Sequence, residues 1–123
     1  MQWTITLNEE NQYAEVVTSG IADRDGSLGM AKAISMTLSK KRIKKVLIDH
    51  RDIGTVSGET LEVYDRPVEF KEIGVITGIK IAEIVKQEHK QFFTFLETVC
   101  VNRGHMFSIF DDQKSALEWL LKS

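Results

Sequence analysis

Segments with the apolar spacing of β-strands alternate along this chain with longer segments that have the apolar spacing of helices. Near the start, Trp3, Ile5 and Leu7 alternate with polar residues, which predicts a strand with one face in water. A short polar turn leads to a second strand, Tyr13 to Ser19, so the two strands form an antiparallel hairpin. Residues 46–49, Val-Leu-Ile-Asp, are apolar up to the aspartate, which is typical of a central parallel strand.

The rest of the chain continues this alternation. Helices are predicted over residues 27–42, 57–68, 88–103 and 114–122, and two further strands over 79–85 and 105–110. Residues 20–25 and 50–56 are predicted loops. Pro67 should kink or end the second helix, and Gly104 should end the third in a left-handed conformation. The order ββαβαβαβα indicates an α/β fold with a five-stranded mixed sheet, mostly parallel with an antiparallel first strand.

The size and charge of the chain limit its function. A length of 123 residues is that of one domain, so we expect residues 1–123 to share one core. Sixteen basic and 18 acidic residues give a net charge of −2, which argues against nucleic-acid binding through a general electrostatic field. The basic run at 40–45 falls where a helix should end, and cations there complement the helix dipole. A patch for an anionic partner is the less favoured alternative.

The location is predicted from what the sequence lacks. Cys100 is the single cysteine and has no partner for an internal disulfide. The first residues do not resemble a secretion signal, and no apolar run reaches the roughly 18 residues of a membrane-spanning helix. We therefore expect a cytoplasmic protein without a membrane span.

Several segments together resemble a known family. They are the strand at 46–49, the Arg-Asp-Ile at 51–53, the helix start at 57–58, and the segments 92–93, 102–104, 111–112 and 116–120. The first three are similar to the STAS domain (sulphate transporter and anti-sigma-factor antagonist). The last four resemble its SpoIIAA-like branch, which is often grouped with Sec14-type lipid-binding domains. The resemblance covers nearly the whole chain and implies a SpoIIAA-like fold.

The resemblance also implies a function and a surface for it. Anti-sigma-factor antagonists are non-enzymatic protein-interaction modules, in which a partner kinase phosphorylates a serine at the start of the helix after the third strand. Here Ser57 falls where the family has an aspartate, and Gly58 falls on the phosphoserine, so the switch residue is not carried over. The implied partner-binding loop and helix start comprise Asp49, Asp52, Thr55, Ser57 and Gly58.

The residues themselves predict no catalytic, metal or cofactor site. Asp49, His50 and Asp52 follow a parallel strand, where α/β sheets bind ligands, but a catalytic or metal role requires them to converge on one point. We favour the interpretation that the two aspartates accept hydrogen bonds from loop N–H groups. His89 and His105 lack companions at metal-ligand spacing and are predicted to lie on the surface and in a strand, respectively.

The predicted third helix carries more apolar residues than one buried stripe requires. Phe92 and Leu96 share a face that Phe93 widens, and Phe95 points away from it. These four residues are a candidate interface or ligand face. A deeply buried helix, a homodimer contact and a lipid-like ligand are the three alternatives. The last would make the protein a carrier or sensor of a small hydrophobic ligand, as the Sec14-like resemblance also implies.

Overall fold

The structure, a computed structural model, describes residues 1–57 and 78–122. Its strands are β1 (Gln2–Asn8), β2 (Tyr13–Ala22), β3 (Lys45–Val56), β4 (Lys80–Ile84) and β5 (Met106–Phe110). Its helices are α1 (Arg24–Lys41), α2 (Lys90–Asn102) and α3 (Gln113–Leu121), with a 3-10 turn (Gln87–His89) before α2. The helix predicted over 57–68, with Gly58 and Pro67, lies outside the described residues except for Ser57.

The strands form one sheet in the order β1-β2-β3-β4-β5. β1 and β2 are antiparallel, and each later pair of neighbours is parallel. The predicted α/β fold, a five-stranded mixed sheet with an antiparallel first strand, is therefore confirmed. The alternating exposure along β1 agrees with its position at the edge of the sheet.

The sheet has a core on each face. α1 and α2 cover one face, where Val46 and Ile48 of β3 point, and α3 covers the other, where Leu47 points. Because β3 is central, both of its faces are buried, which explains the continuous apolar run at its start. Leu120 of α3 is fully buried on the second face.

β3 is longer than the sequence predicted. The predicted loop at 50–56 is wrong, because the strand continues to Val56 and pairs with a β2 that itself extends to Ala22. Gly20, with a φ of +89°, lies in this extension of β2, which was predicted as a loop. The polar residues that indicated a loop mark exposed positions, while Ile53 between them is buried.

The ends of the helices follow from their capping residues. α1 begins earlier than predicted because the Asp23 side chain accepts a hydrogen bond from the Gly26 N–H at 2.7 Å. Asp112 caps α3 in the same way through the Ser115 N–H at 2.8 Å. Gly104 has a φ of +87°, which confirms the left-handed residue predicted after the third helix. No helix in the described parts of the chain is long and apolar enough to cross a membrane.

Candidate functional site

A polar surface forms where β3 ends beside the start of α1. The Ser57 N–H donates to the Ala22 carbonyl at 2.7 Å, which holds the end of β3 against the residue before the Asp23 cap. We name as the carboxyl-edge surface the polar residues near the end of β3 and the start of α1, Asp23, Arg24, Asp25, Asp52, Thr55 and Ser57. Four of them, Asp23, Arg24, Asp25 and Ser57, line an open cleft of about 330 Å³.

Most charged side chains of this surface are exposed. Asp52 and Thr55 are exposed on the last part of β3. Arg24 pairs with Asp25 at 3.4 Å, but both side chains remain largely in water, so this contact contributes little stability. Two carboxylates, Asp25 on α1 and Asp52 on β3, are therefore exposed to solvent.

Asp49, three residues before Asp52 on β3, is held by Arg51. Its Oδ1 accepts hydrogen bonds from the Arg51 backbone N–H and Nε, both at 3.0 Å, and its Oδ2 accepts one from Nη2 at 2.8 Å. Burial raises the pKa of Asp49, but the hydrogen bonds and charge of Arg51 outweigh it, so the pKa is lowered. Asp49 thus accepts a local N–H, as the favoured interpretation predicted, and does not meet Asp52.

The lowered pKa of Asp49 predicts how stability depends on pH. Its contribution is present above the unfolded-state pKa near 3.8 and is lost as the pH falls through the lower folded-state value. Asp49→Asn should therefore cost about 1 kcal/mol of unfolding free energy at pH 7 and much less below pH 3, since Arg51 is partly in water. Urea unfolding at both pH values measures this. In an Arg51→Met background the cost at pH 7 should shrink, and an unchanged cost would contradict the assignment to Arg51.

Next to this surface, three polar side chains from neighbouring strands meet inside the protein. Thr18, His50 and Glu83 come from β2, β3 and β4, and each is less than 5% exposed. The Thr18 hydroxyl lies 3.2 Å from the Asp49 carbonyl and 2.7 Å from His50 Nδ1, while His50 Nε2 lies 3.4 Å from Glu83 Oε1. We call these three residues the polar network.

The protons of the polar network are constrained by its contacts. Thr18 has one hydroxyl proton, and donating it to the Asp49 carbonyl requires His50 Nδ1–H to donate to the hydroxyl oxygen. With its proton on Nδ1, His50 presents the lone pair of Nε2 to Glu83. One further proton between Nε2 and the Glu83 carboxyl group is needed, because a nitrogen lone pair facing a buried carboxylate is unfavourable. Glu83 Oε1 has no hydrogen-bond partner among the described residues. Its contact with His50 is therefore the interaction that offsets the cost of burying it.

The polar network also fixes the geometry of the carboxyl-edge surface. Between the pairs Val17–Asp49 and Ser19–Asp52, β2 advances two residues while β3 advances three. Thr18 lies at this irregularity and bonds across it. The network therefore stabilises this β-bulge, and Asp52 follows the bulge on β3.

The network is closed to a substrate by α2. The Phe93 ring stacks on the His50 ring with centroids 4.9 Å apart and planes 20° apart, and Phe93 is itself 3% exposed. His50 points to the α1 and α2 face of the sheet, whereas Asp49 points to the other because neighbours in a strand alternate. The structure does not bring Asp49, Asp52 and a histidine into one pocket, which is what the sequence required of an enzyme.

The sequence missed two members of the network, Thr18 and Glu83. The available signal was the charged Glu83 in the middle of an apolar strand, since such a residue must find a partner when the strand is buried. His89 was wrongly predicted to be at the surface. It is 7% exposed in the turn before α2, four residues before the buried Phe93, and its Nδ1 lacks a hydrogen-bond partner within the described chain. Across residues 1–57 and 78–122, no three His, Cys, Asp or Glu side chains are grouped to hold a metal ion.

Most of the apolar surplus of α2 lies in the core. Phe93 and Leu96 are buried, and Phe92 is half-buried with its ring edge against Phe93, centroids 5.1 Å apart. Phe95 and Val101 remain exposed, by 37% and 50%. The buried-helix alternative thus accounts for three of the four candidate residues. The homodimer and the lipid-like ligand stay predictions that depend on Phe95.

Comparisons with known proteins identify the fold. No protein-family model matches the chain, and no curated protein matches it. Among solved structures, an uncharacterized protein with a SpoIIAA-like fold from Shewanella loihica superposes with a TM-score of 0.59 at 20% identity, covering 97% of this chain and 92% of that one. An anti-sigma factor antagonist from Mycobacterium paratuberculosis gives 0.59 at 14% identity, covering 98% and 96%. The unphosphorylated anti-sigma factor antagonist SpoIIAA gives 0.52 at 10%, covering 93% and 92%. The chain therefore has the SpoIIAA-like fold that its sequence resembles.

Proposed function

We propose that this protein is a non-enzymatic regulatory module that binds a partner protein through the carboxyl-edge surface. The supporting observation is the Ser57–Ala22 hydrogen bond, which joins the exposed end of β3 to the start of α1. Ser57 and the first residues of α1 line a cleft of about 330 Å³ beside this bond. Two of the structures that share the fold are named as anti-sigma factor antagonists, which are proteins that act by binding other proteins.

The chemistry of the surface favours binding over catalysis. Its exposed groups are carboxylates, hydroxyls and the Arg24 guanidinium, which are suited to hydrogen bonds and ion pairs with a protein surface. The polar network, the one constellation resembling a catalytic triad in the described residues, is sealed beneath Phe93. Acceptance of a substrate there would require α2 to move, whereas the carboxyl-edge surface is open as it stands.

The proposed regulation differs from that of the phosphorylated antagonists. Gly58 occupies the position that the resemblance assigns to the phosphoserine, and glycine has no hydroxyl to phosphorylate. An exposed carboxylate, Asp25, instead lines the same cleft as Ser57. We therefore propose binding that is not switched off by a kinase at that position.

The test is a pull-down with the tagged full chain from its source organism, with captured proteins quantified by mass spectrometry. The variant Asp52→Lys/Thr55→Lys replaces two exposed side chains at the end of β3 with cations. Recovery of the specific partner should fall at least about tenfold, equivalent to about 1.4 kcal/mol of binding free energy. Circular dichroism should show an unchanged fold, since neither side chain is buried.

Lys32→Glu provides the matched control. Lys32 is exposed in the middle of α1, and its replacement by glutamate reverses one surface charge. Partner recovery with Lys32→Glu should equal that of the wild type. If the Asp52→Lys/Thr55→Lys protein captured the same partners at wild-type levels, the carboxyl-edge surface would not be the binding surface.

A further inference from the structure

At the opposite end of the sheet, cations from several elements form one surface. We name as the basic edge the residues Arg42, Lys44, Lys45, Lys80 and Lys122. Arg42 follows α1, Lys44 and Lys45 lead into β3, Lys80 begins β4, and Lys122 follows α3. The sequence showed only the run at 40–45, and the fold adds Lys80 and Lys122 to it.

Backbone and side-chain contacts make the basic edge continuous. The Lys80 N–H donates to the Lys44 carbonyl at 2.8 Å, and Lys80 pairs with Lys45 in the parallel register. The Lys80 ammonium donates to the Lys122 carbonyl at 3.0 Å. Burial is the largest cause that lowers the pKa of Lys80, and the charges of Lys45 and Lys122 lower it further. These ammonium groups are therefore close enough to repel one another.

Complementing helix dipoles does not require this many cations. Lys40 and Lys41 occupy the last turn of α1, and the Lys80 ammonium already donates to carbonyls at the end of α3. Arg42, Lys44 and Lys122 add three exposed charges beyond that. Lys41 has a counter-charge in Glu9 at 3.6 Å, but it precedes the basic edge.

The backbone conformation of Arg42 also supports a binding role for the basic edge. Its φ is +57°, in the left-handed region where helices usually end on glycine. An arginine there is less favourable for the backbone than glycine would be. Repulsion between like charges and the left-handed backbone at Arg42 both lower the stability of the fold. Because the basic edge does not favour folding, we expect its function to be binding.

The neighbouring side chains indicate the class of partner. Met106 pairs with Lys80 across the sheet and is 47% exposed, which places an apolar contact beside the ammonium groups. Exposed methionine is typical of protein interfaces. The nearby Trp119 ring has the Lys80 ammonium 4.4 Å from its centroid, so that face is already occupied and does not offer a base-stacking platform.

Of the acidic groups at the carboxyl ends of the strands in a second copy of the chain, Asp49 is paired with Arg51 at 2.8 Å and Asp111 with Lys90 at 3.6 Å, whereas Asp25 and Asp52 are exposed. A partner whose carboxylates are free would gain more from the cations. We propose that the basic edge binds an acidic protein segment in which an apolar side chain lies beside the carboxylates and contacts Met106.

The probe is a short fluorescein-labelled peptide of repeated Glu-Glu-Leu, titrated with the full chain and followed by fluorescence polarization. The peptide should bind, and raised ionic strength should weaken it because exposed charges are screened. Lys44→Glu/Lys122→Glu, which reverses two exposed charges, should weaken binding at least about tenfold. Met106→Ser leaves the charges in place and should weaken binding by about threefold, the loss of part of one apolar contact.

Lys114→Glu is the matched control, because Lys114 is exposed at the start of α3, at the other end of that helix from Lys122. It should bind the peptide within about twofold of the wild type. Absence of peptide binding, or binding insensitive to Lys44→Glu/Lys122→Glu, would overturn the proposal. Equal or tighter binding of oligo-dT or of phosphatidylglycerol vesicles would assign the basic edge to a nucleic acid or a membrane instead. The carboxyl-edge surface is at the other end of the sheet, so its failure would leave this result unaffected.

Discussion

Replacing Glu83 by alanine should lower the free energy of unfolding by about 3–5 kcal/mol, measured by urea denaturation near neutral pH. The substitution removes the group that faces His50 Nε2 across 3.4 Å inside the sheet–helix core. His50 would keep its contact with Thr18, but a buried nitrogen would lose its only described partner. An unpaired polar group in a buried position costs more than the net value of the pair that satisfied it.

Two further variants separate pairing from packing. Glu83→Gln preserves the shape of the side chain and offers an amide N–H to His50 Nε2, so it should cost less than half as much as alanine. Thr18→Val preserves shape but removes the hydroxyl that spans the bulge between β2 and β3, and should cost about 1–2 kcal/mol. If Glu83→Ala changed stability by less than about 1 kcal/mol, the polar network would not be the buried, mutually compensated group described above.

Replacing Phe93 by alanine should cost about 3–5 kcal/mol, because its buried ring is removed and a cavity is left. The ring is 3% exposed and contacts both the His50 ring and the edge of Phe92. Without the Phe93 ring, the polar network is also no longer shielded from solvent. We therefore expect increased hydrogen exchange at the amides of residues near His50, in addition to the lower unfolding free energy.

Phe95→Ala is the matched control on the same helix. Phe95 is 37% exposed, so its truncation should cost less than about 1 kcal/mol if the protein is a monomer. The homodimer prediction gives a different expected stability for Phe95→Ala. If a second subunit covers Phe95, the cost should grow with protein concentration, since dissociation then accompanies unfolding. Equal costs for Phe93→Ala and Phe95→Ala at all concentrations would contradict the burial pattern of α2.

Local pattern was sufficient for the elements and their order. The alternation in β1 and the apolar start of β3 depend only on which face of a strand meets water. The αL position of Gly104 follows from a single-residue preference. These are short-range effects, and each was predicted from a few neighbouring residues.

The extension of β3 could not be predicted in the same way. Residues 50–56 contain polar residues and a glycine, which favour a loop when considered alone. They form a strand because β2, about 30 residues earlier in the chain, is extended beside them and satisfies their backbone groups. The partner-binding prediction placed Asp52 and Thr55 in a loop, whereas they are exposed residues of this strand.

The sequence by itself determined the alternation of strands and helices, the SpoIIAA-like architecture and the apolar faces that build its two cores. Tertiary structure alone decided which polar residues meet. Thr18, His50 and Glu83 are separated by 32 and 33 positions, and Lys44 and Lys122 by 78, so no local spacing connects them. Parallel pairing aligns the same ends of neighbouring strands, and that alignment brings the three polar residues into one buried network and the cations onto one edge.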